Sequence, residues 1–316
     1  MELDLDLLKC IVLSFYPVVF IFGLIGNFTT FFIFSRKKFK LLKTTIYFKF
    51  LNVTETITLS FSMVDYLNYQ YGINLLNASY IFCKFTYYIL YIFSPVSGWI
   101  LVILSFDRLL STKYPSKLLV RNKKQIKLLI CAFVIFCNVL YYIPIAILSN
   151  YVNVYLNDSS SNNSDSTLVI DKCISGDQYG VSDWLDLLNS SIIPFIFMSI
   201  FTAKALKSLF ESRRKTHNAS CSTTQRKESF KKRDLRYAFT LLIFNFSFLI
   251  LNLPVVSFYV ILRYVDISQN LSEFLLAFTT LLFYSYYGSF FYLNLLINSV
   301  FRNELKALIK TILRKK

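Results

Sequence analysis

Six long stretches of this chain contain no Asp, Glu, Lys or Arg: residues 10–35, 85–106, 128–157, 187–203, 237–262 and 274–301. About 20 apolar residues in a helix cross a hydrocarbon core of about 30 Å. Five of the stretches exceed that length, and the 17 residues of 187–203 just reach it. A seventh stretch, lying between Thr44 and Asp65, is apolar apart from Lys49 and Glu55. Lys49 stands near one end, where a long side chain can reach the interface. Barrel strands would alternate with period two over about 10 residues, and these runs do not. Seven membrane-spanning helices follow. Only 16% of the chain is charged and 55% is hydrophobic, whereas soluble domains average about 25% charged. Soluble enzymes, disordered chains and nucleic-acid binders are therefore excluded, despite a net charge of +16.

An odd number of spans puts the two termini on opposite sides. With the N-terminus outside, all basic residues except Lys9, Lys84, Lys172 and Arg263 fall in inner segments. That asymmetry is the positive-inside pattern. The inner surface then suits anionic lipid headgroups, and the outer face is acidic. The start, Met-Glu-Leu-Asp-Leu-Asp, is acidic and does not read as a cleaved signal peptide. A Ser/Asn/Asp tract at 157–166 reads as a solvated outer loop, and 212–230 as a basic, Ser/Thr-rich inner loop. A single His, His217, disfavours a His-built metal site, and no metal site or enzyme activity is expected. The expected fold is an all-α membrane protein, one domain over 1–316. Its spans lie at about 11–35, 44–68, 80–110, 126–149, 187–211, 233–262 and 272–298. Near 300–314, Phe301, Leu305, Leu308, Ile309, Ile312 and Leu313 form one helical face. This is a short amphipathic eighth helix lying on the membrane surface.

Motifs narrow the class. Asp107-Arg108-Leu109 closes the third run on the inner side. Cys83 stands 25 residues before Arg108, about 37 Å along a helix, at the outer end of the same span. Cys173 is the only Cys of the large outer loop. Together these resemble the rhodopsin-like (class A) G-protein-coupled receptors. Gly26-Asn27, Leu51-Asn52-Val53-Thr54-Glu55, Ser97, Pro194, Phe248 and Pro254 stand at that family's motif positions, as does Asn298-Ser-Val-Phe-Arg302-Asn. The resemblance covers all seven spans. The chain also departs from the pattern. Asp-Arg-Tyr is Asp-Arg-Leu, Cys-Trp-x-Pro is Leu251-Asn252-Leu253-Pro254, and Asn-Pro-x-x-Tyr is Phe290-Phe291-Tyr292-Leu293-Asn294. Span four has no Trp, and Thr202 replaces a frequent Tyr in span five. The overall flavour is similar to divergent invertebrate orphan receptors of the peptide, FMRFamide-like type.

The resemblance implies a Cys83–Cys173 disulfide. It implies a switch in which Arg108 pairs with Asp107 and Asp234 until the sixth helix swings outward; the bland reading of Arg108 is an interfacial anchor. It implies a polar site of Asn27, Glu55, Ser97 and Asn252, to which a sodium ion would bind; otherwise Glu55 is a protonated hydrogen-bonding residue. Asn77, Asn157, Asn162 and Asn270 lie in outer sequons open to glycosylation.

The resemblance also limits the ligand. An opsin needs a lysine in span seven, where Tyr284 stands, and an amine receptor needs an Asp in span three, where Leu90 stands. Helical position puts Asp65, Tyr87, Tyr91, Tyr259 and Tyr284 around an outer cavity. Aromatic faces and one acid suit a cation, and an acidic outer face steers cations inward. The expected protein is a plasma-membrane neuropeptide-type receptor that binds a basic peptide and activates a heterotrimeric G protein. The rivals are a seven-helix scaffold or decoy that signals weakly, and a receptor for a small organic chemosensory ligand.

Overall fold

A computed structural model describes residues 4–40, 44–71, 79–113, 124–148, 150–157, 167–174, 181–217 and 224–313. Helix α1 (Leu5–Phe34) begins where the Asp4 carboxylate accepts the Leu7 N–H at 3.2 Å, which satisfies an amide that the first turn leaves unpaired. A short α2 (Lys37–Lys40) precedes α3 (Thr45–Tyr71) and α4 (Tyr80–Lys113). Then come α5 (Lys124–Tyr141) and α6 (Ile143–Leu148), a hairpin of β1 (Asn150–Asn157) and β2 (Thr167–Ile174), and α7 (Val181–Asp186). A π-helical turn, Leu187–Ile192, leads into α8 (Ile193–His217). The chain ends with α9 (Thr224–Ile261), α10 (Gln269–Ile297) and α11 (Ser299–Leu313).

Among the described residues six segments are long and apolar enough to cross a membrane: Leu5–Ser35, Ile81–Lys113, Lys124–Tyr141, Asp183–Glu211, Phe239–Ile261 and Gln269–Ile297. The seventh is α3, whose polar residues turn inward. Asn52, Thr54, Glu55, Thr58 and Ser62 are all buried. The outward side chains are apolar, among them Phe15, Phe22, Phe28 and Phe32 of α1. That surface suits lipid, where no water competes for the backbone. Helix α4 runs through the middle, with Val96, Ser97, Ile100, Leu101 and Ser105 buried. Between α1 and α10 the backbones touch. A Cβ on Gly288 would stand 3.0 Å from the Gly23 Cα, so the missing side chains let these helices meet, as small residues do in membranes.

Three features differ from expectation. The span expected at 126–149 breaks at Tyr142 into α5 and α6. Pro144 explains it: without an N–H it cannot continue the ladder, but it fits the first turn of a new helix. The expected outer loop holds an antiparallel hairpin, with Tyr151 opposite Cys173 and Asn157 opposite Thr167. Finally, α8 and α9 run through most of the expected inner loop, because its Lys, Arg, Glu and Gln residues are good helix formers.

Candidate ligand cavity and polar core

At the end of the bundle where α1 begins, a cavity of about 590 Å³ opens between the helices. Its walls come from α1, α3, α4, α7, α9 and α10. Asp65, Tyr87, Tyr91, Tyr259 and Tyr284, the five residues placed here by helical position, all line it. The Tyr87 hydroxyl donates to Asp65 Oδ1 at 3.2 Å. Beside them Tyr16 and Tyr66 stack at 4.8 Å, and Tyr284 meets Tyr16 edge-on at 5.4 Å. Sequence reading missed the far wall. There Asp186 Oδ1 accepts from the Tyr142 hydroxyl at 2.8 Å, and Asp183 pairs with Arg263 at 2.8 Å.

Below the cavity a chain of polar contacts gathers at the π-helical turn. Asn189 donates to Asn138 Oδ1 at 3.0 Å and to the Tyr142 hydroxyl at 3.1 Å, and it accepts from Trp99 Nε1 at 3.0 Å. Asn252, two residues before Pro254, donates to the Ser190 carbonyl and to Ser191 Oγ, each at 3.2 Å. One turn of irregular helix thus ties α4, α5 and α9 together. Single π turns of this kind recur at functional sites. Just below, the Phe248 ring covers Gly98, where a Cβ would sit 3.0 Å from two ring carbons.

Each of the expected sodium-site residues has contacts of its own. Asn27 donates to the Tyr287 carbonyl at 3.0 Å, and Ser97 to the Ser94 carbonyl at 2.9 Å. Asn252 is held at the π turn. Glu55 Oε2 and Asn27 Oδ1 are buried with no hydrogen-bond partner. Asn252 Oδ1 is likewise buried with no hydrogen-bond partner; oxygen donors of this sort fit a hard monovalent cation, which Glu55, Ser97, Asn27 and Asn252 would hold. Among the described residues no cluster of three His, Cys, Asp or Glu suits a metal ion.

At the opposite end Arg108 Nη2 donates to Thr44 Oγ1 at 3.0 Å. Asp107 is buried and lies 3.7 Å from Lys127 Nζ. Lys127 is only 1% exposed, with its ammonium 4.8 Å from the centre of the Tyr47 ring. The Asp234 side chain lies outside the described residues. Helix α11 is fixed to this end. The Asn298 carboxamide accepts the Val300 and Phe301 N–H groups, Arg302 donates to the last carbonyls of α10, and Arg36 pairs with Glu304 at 2.8 Å.

The family model for the 7 transmembrane receptor (rhodopsin family) matches residues 26–291. The chain belongs to that family. No curated protein matches the chain. As a rhodopsin-family receptor it is a multi-pass membrane protein of a class that signals and is generally not enzymatic. In this receptor Cys83 is buried and disulfide-bonded; Cys173 lies in β2 with its side chain outside the described residues. The described free thiols are Cys10, Cys131 and Cys137. Of the sequons, Asn270 is exposed in the first turn of α10. Asn77 and Asn162 lie outside the described residues, as does the side chain of Asn157. Lys127, Tyr142, Asn189 and Asp186 were not singled out from sequence. The only signal for the π turn was the polar triplet Asn189-Ser190-Ser191 in an otherwise apolar span.

Proposed function

We propose that this receptor binds an extracellular basic peptide in the cavity and acts on a heterotrimeric G protein through the end that holds Arg108. One observation carries the reading. Helix α4 brings Tyr87, Tyr91 and Ser94 to the cavity wall and Asp107 and Arg108 to the other end. A single rigid element therefore joins the two sites. Asp65 amid tyrosine rings provides charge and aromatic faces for a guanidinium or ammonium group. We place Cys173 as the partner of Cys83, tying the hairpin over the cavity mouth, and the N-terminus outside the cell.

The cavity size is also that of a small-molecule site, which supports a small organic cation as the second reading. The test is G-protein dissociation in cells that express the full chain at the surface, screened with basic amidated peptides and with small amines. A peptide response that disappears in Arg108→Ala is expected. A response to amines alone would select the second reading. Silence toward every compound, with surface expression confirmed, would sink both.

A further inference from the structure

We propose that the ligand carries two cationic groups joined by an apolar spacer, one held by Asp65 and the other by Asp186. This rests on the cavity being the ligand site. Among the described residues, four charged side chains line it: Asp65, Asp183, Asp186 and Arg263. Arg263 Nε meets Asp183 Oδ2 at 2.8 Å, so that pair compensates itself. The other two acids differ. Asp65 is met by the Tyr87 hydroxyl at 3.2 Å and Asp186 by the Tyr142 hydroxyl at 2.8 Å. Among the described residues neither forms an ion pair with a basic side chain. Neutral hydroxyls satisfy carboxylate oxygens without cancelling the charge, and each acid is only part-buried in the cavity wall, where a cation can meet it.

Each acid also has its own aromatic surround. Tyr16, Tyr66 and Tyr284 cluster beside Asp65. Tyr91 lies against Tyr142, 5.6 Å between ring centres, beside Asp186. Ring faces add attraction for a cation at both poles. The wall also carries Leu90, Val255, Val256 and Phe283, a lining for an aliphatic spacer. A diamine and a peptide bearing two arginines share this chemistry.

The test is thermal unfolding of the purified full chain in lipid nanodiscs, since a ligand that binds only the folded state raises the midpoint with concentration. The probes are α,ω-diamines of graded length, the monoamines of the same lengths, and arginine-ended tetrapeptide amides with one or two arginines. Dications are expected to bind at least tenfold more tightly than their monocationic partners. Asp65→Asn and Asp186→Asn should each reduce the dication to the monocation's level, while the exposed acid variant Asp266→Asn should not. Diamines and peptides compared side by side identify the source. Equal binding of mono- and dications by the wild type would overturn the proposal even if the variants do not fold. So would a dication advantage that survives both variants. Tight dication binding without G-protein activation would leave this proposal standing and remove the signalling reading. Activation that ignores the second charge would do the reverse.

Discussion

Glu55 is 1% exposed in the middle of the bundle, and its Oε2 has no hydrogen-bond partner. An ionised carboxylate there costs several kcal/mol unless something meets it. We propose a sodium ion in that role, held with Ser97, Asn27 and Asn252. Peptide affinity of the wild type should then fall several-fold when sodium replaces a bulky organic cation in the binding buffer. Glu55→Gln should lose that dependence. Equal sodium sensitivity in both proteins would remove the ion from Glu55. Glu55 was legible in the sequence because an acid inside an apolar run stands out by composition alone, and the five cavity residues were legible because helical position fixes which side chains share a level. Lys127 was not. It closes a basic loop and reads as one more inner cation near lipid headgroups. Only the packing of α3 and α5 against α4 buries it between Asp107 and the Tyr47 ring.

Contacts between helices set the next scale. Gly23 and Gly288 let α1 and α10 touch, and a side chain on Gly288 has only backbone to meet. Gly288→Val should cost about 1–3 kcal/mol by overpacking, read as a lower unfolding midpoint in detergent. An unchanged midpoint would mean that the two helices are not pressed together. Around the π turn, Asn189 serves Trp99, Asn138 and Tyr142 at once. Asn189→Ala leaves those buried groups short of partners, at about 1–3 kcal/mol for each one not rescued by water. Its expected signature is a midpoint drop larger than that of Ser199→Ala, a neighbouring residue of α8. A drop no larger would show the network to be incidental. The spans were readable from charge-free runs, but their irregularities were read less well. Pro144 is a visible helix breaker, and the hairpin strands show period-two patterning in Tyr151-Val-Asn-Val-Tyr. The π turn left only the polar triplet Asn189-Ser190-Ser191 as a local signal, because it depends on partners from three other helices.

For the whole molecule, the proposed orientation predicts N-linked glycans at Asn157 or Asn162 on the outer side. Glycosidase treatment should raise the electrophoretic mobility of the expressed chain, and the double variant Asn157→Gln, Asn162→Gln should lose most of that shift. An unshifted wild-type chain would count against an outside location for this loop. The central claim is that the cavity and the Arg108 end are coupled through the bundle. Coupling is reciprocal: if the ligand favours G-protein binding, the G protein must tighten the ligand by the same factor. The most direct measurement is the affinity of the best dibasic peptide for the nanodisc-embedded chain, with and without nucleotide-free heterotrimer. The structure leads us to expect tightening of about 5- to 150-fold, the usual range of such coupling, and its loss in Arg108→Ala. An affinity that is the same with and without the G protein would contradict the coupling and leave a seven-helix protein that binds its ligand without signalling.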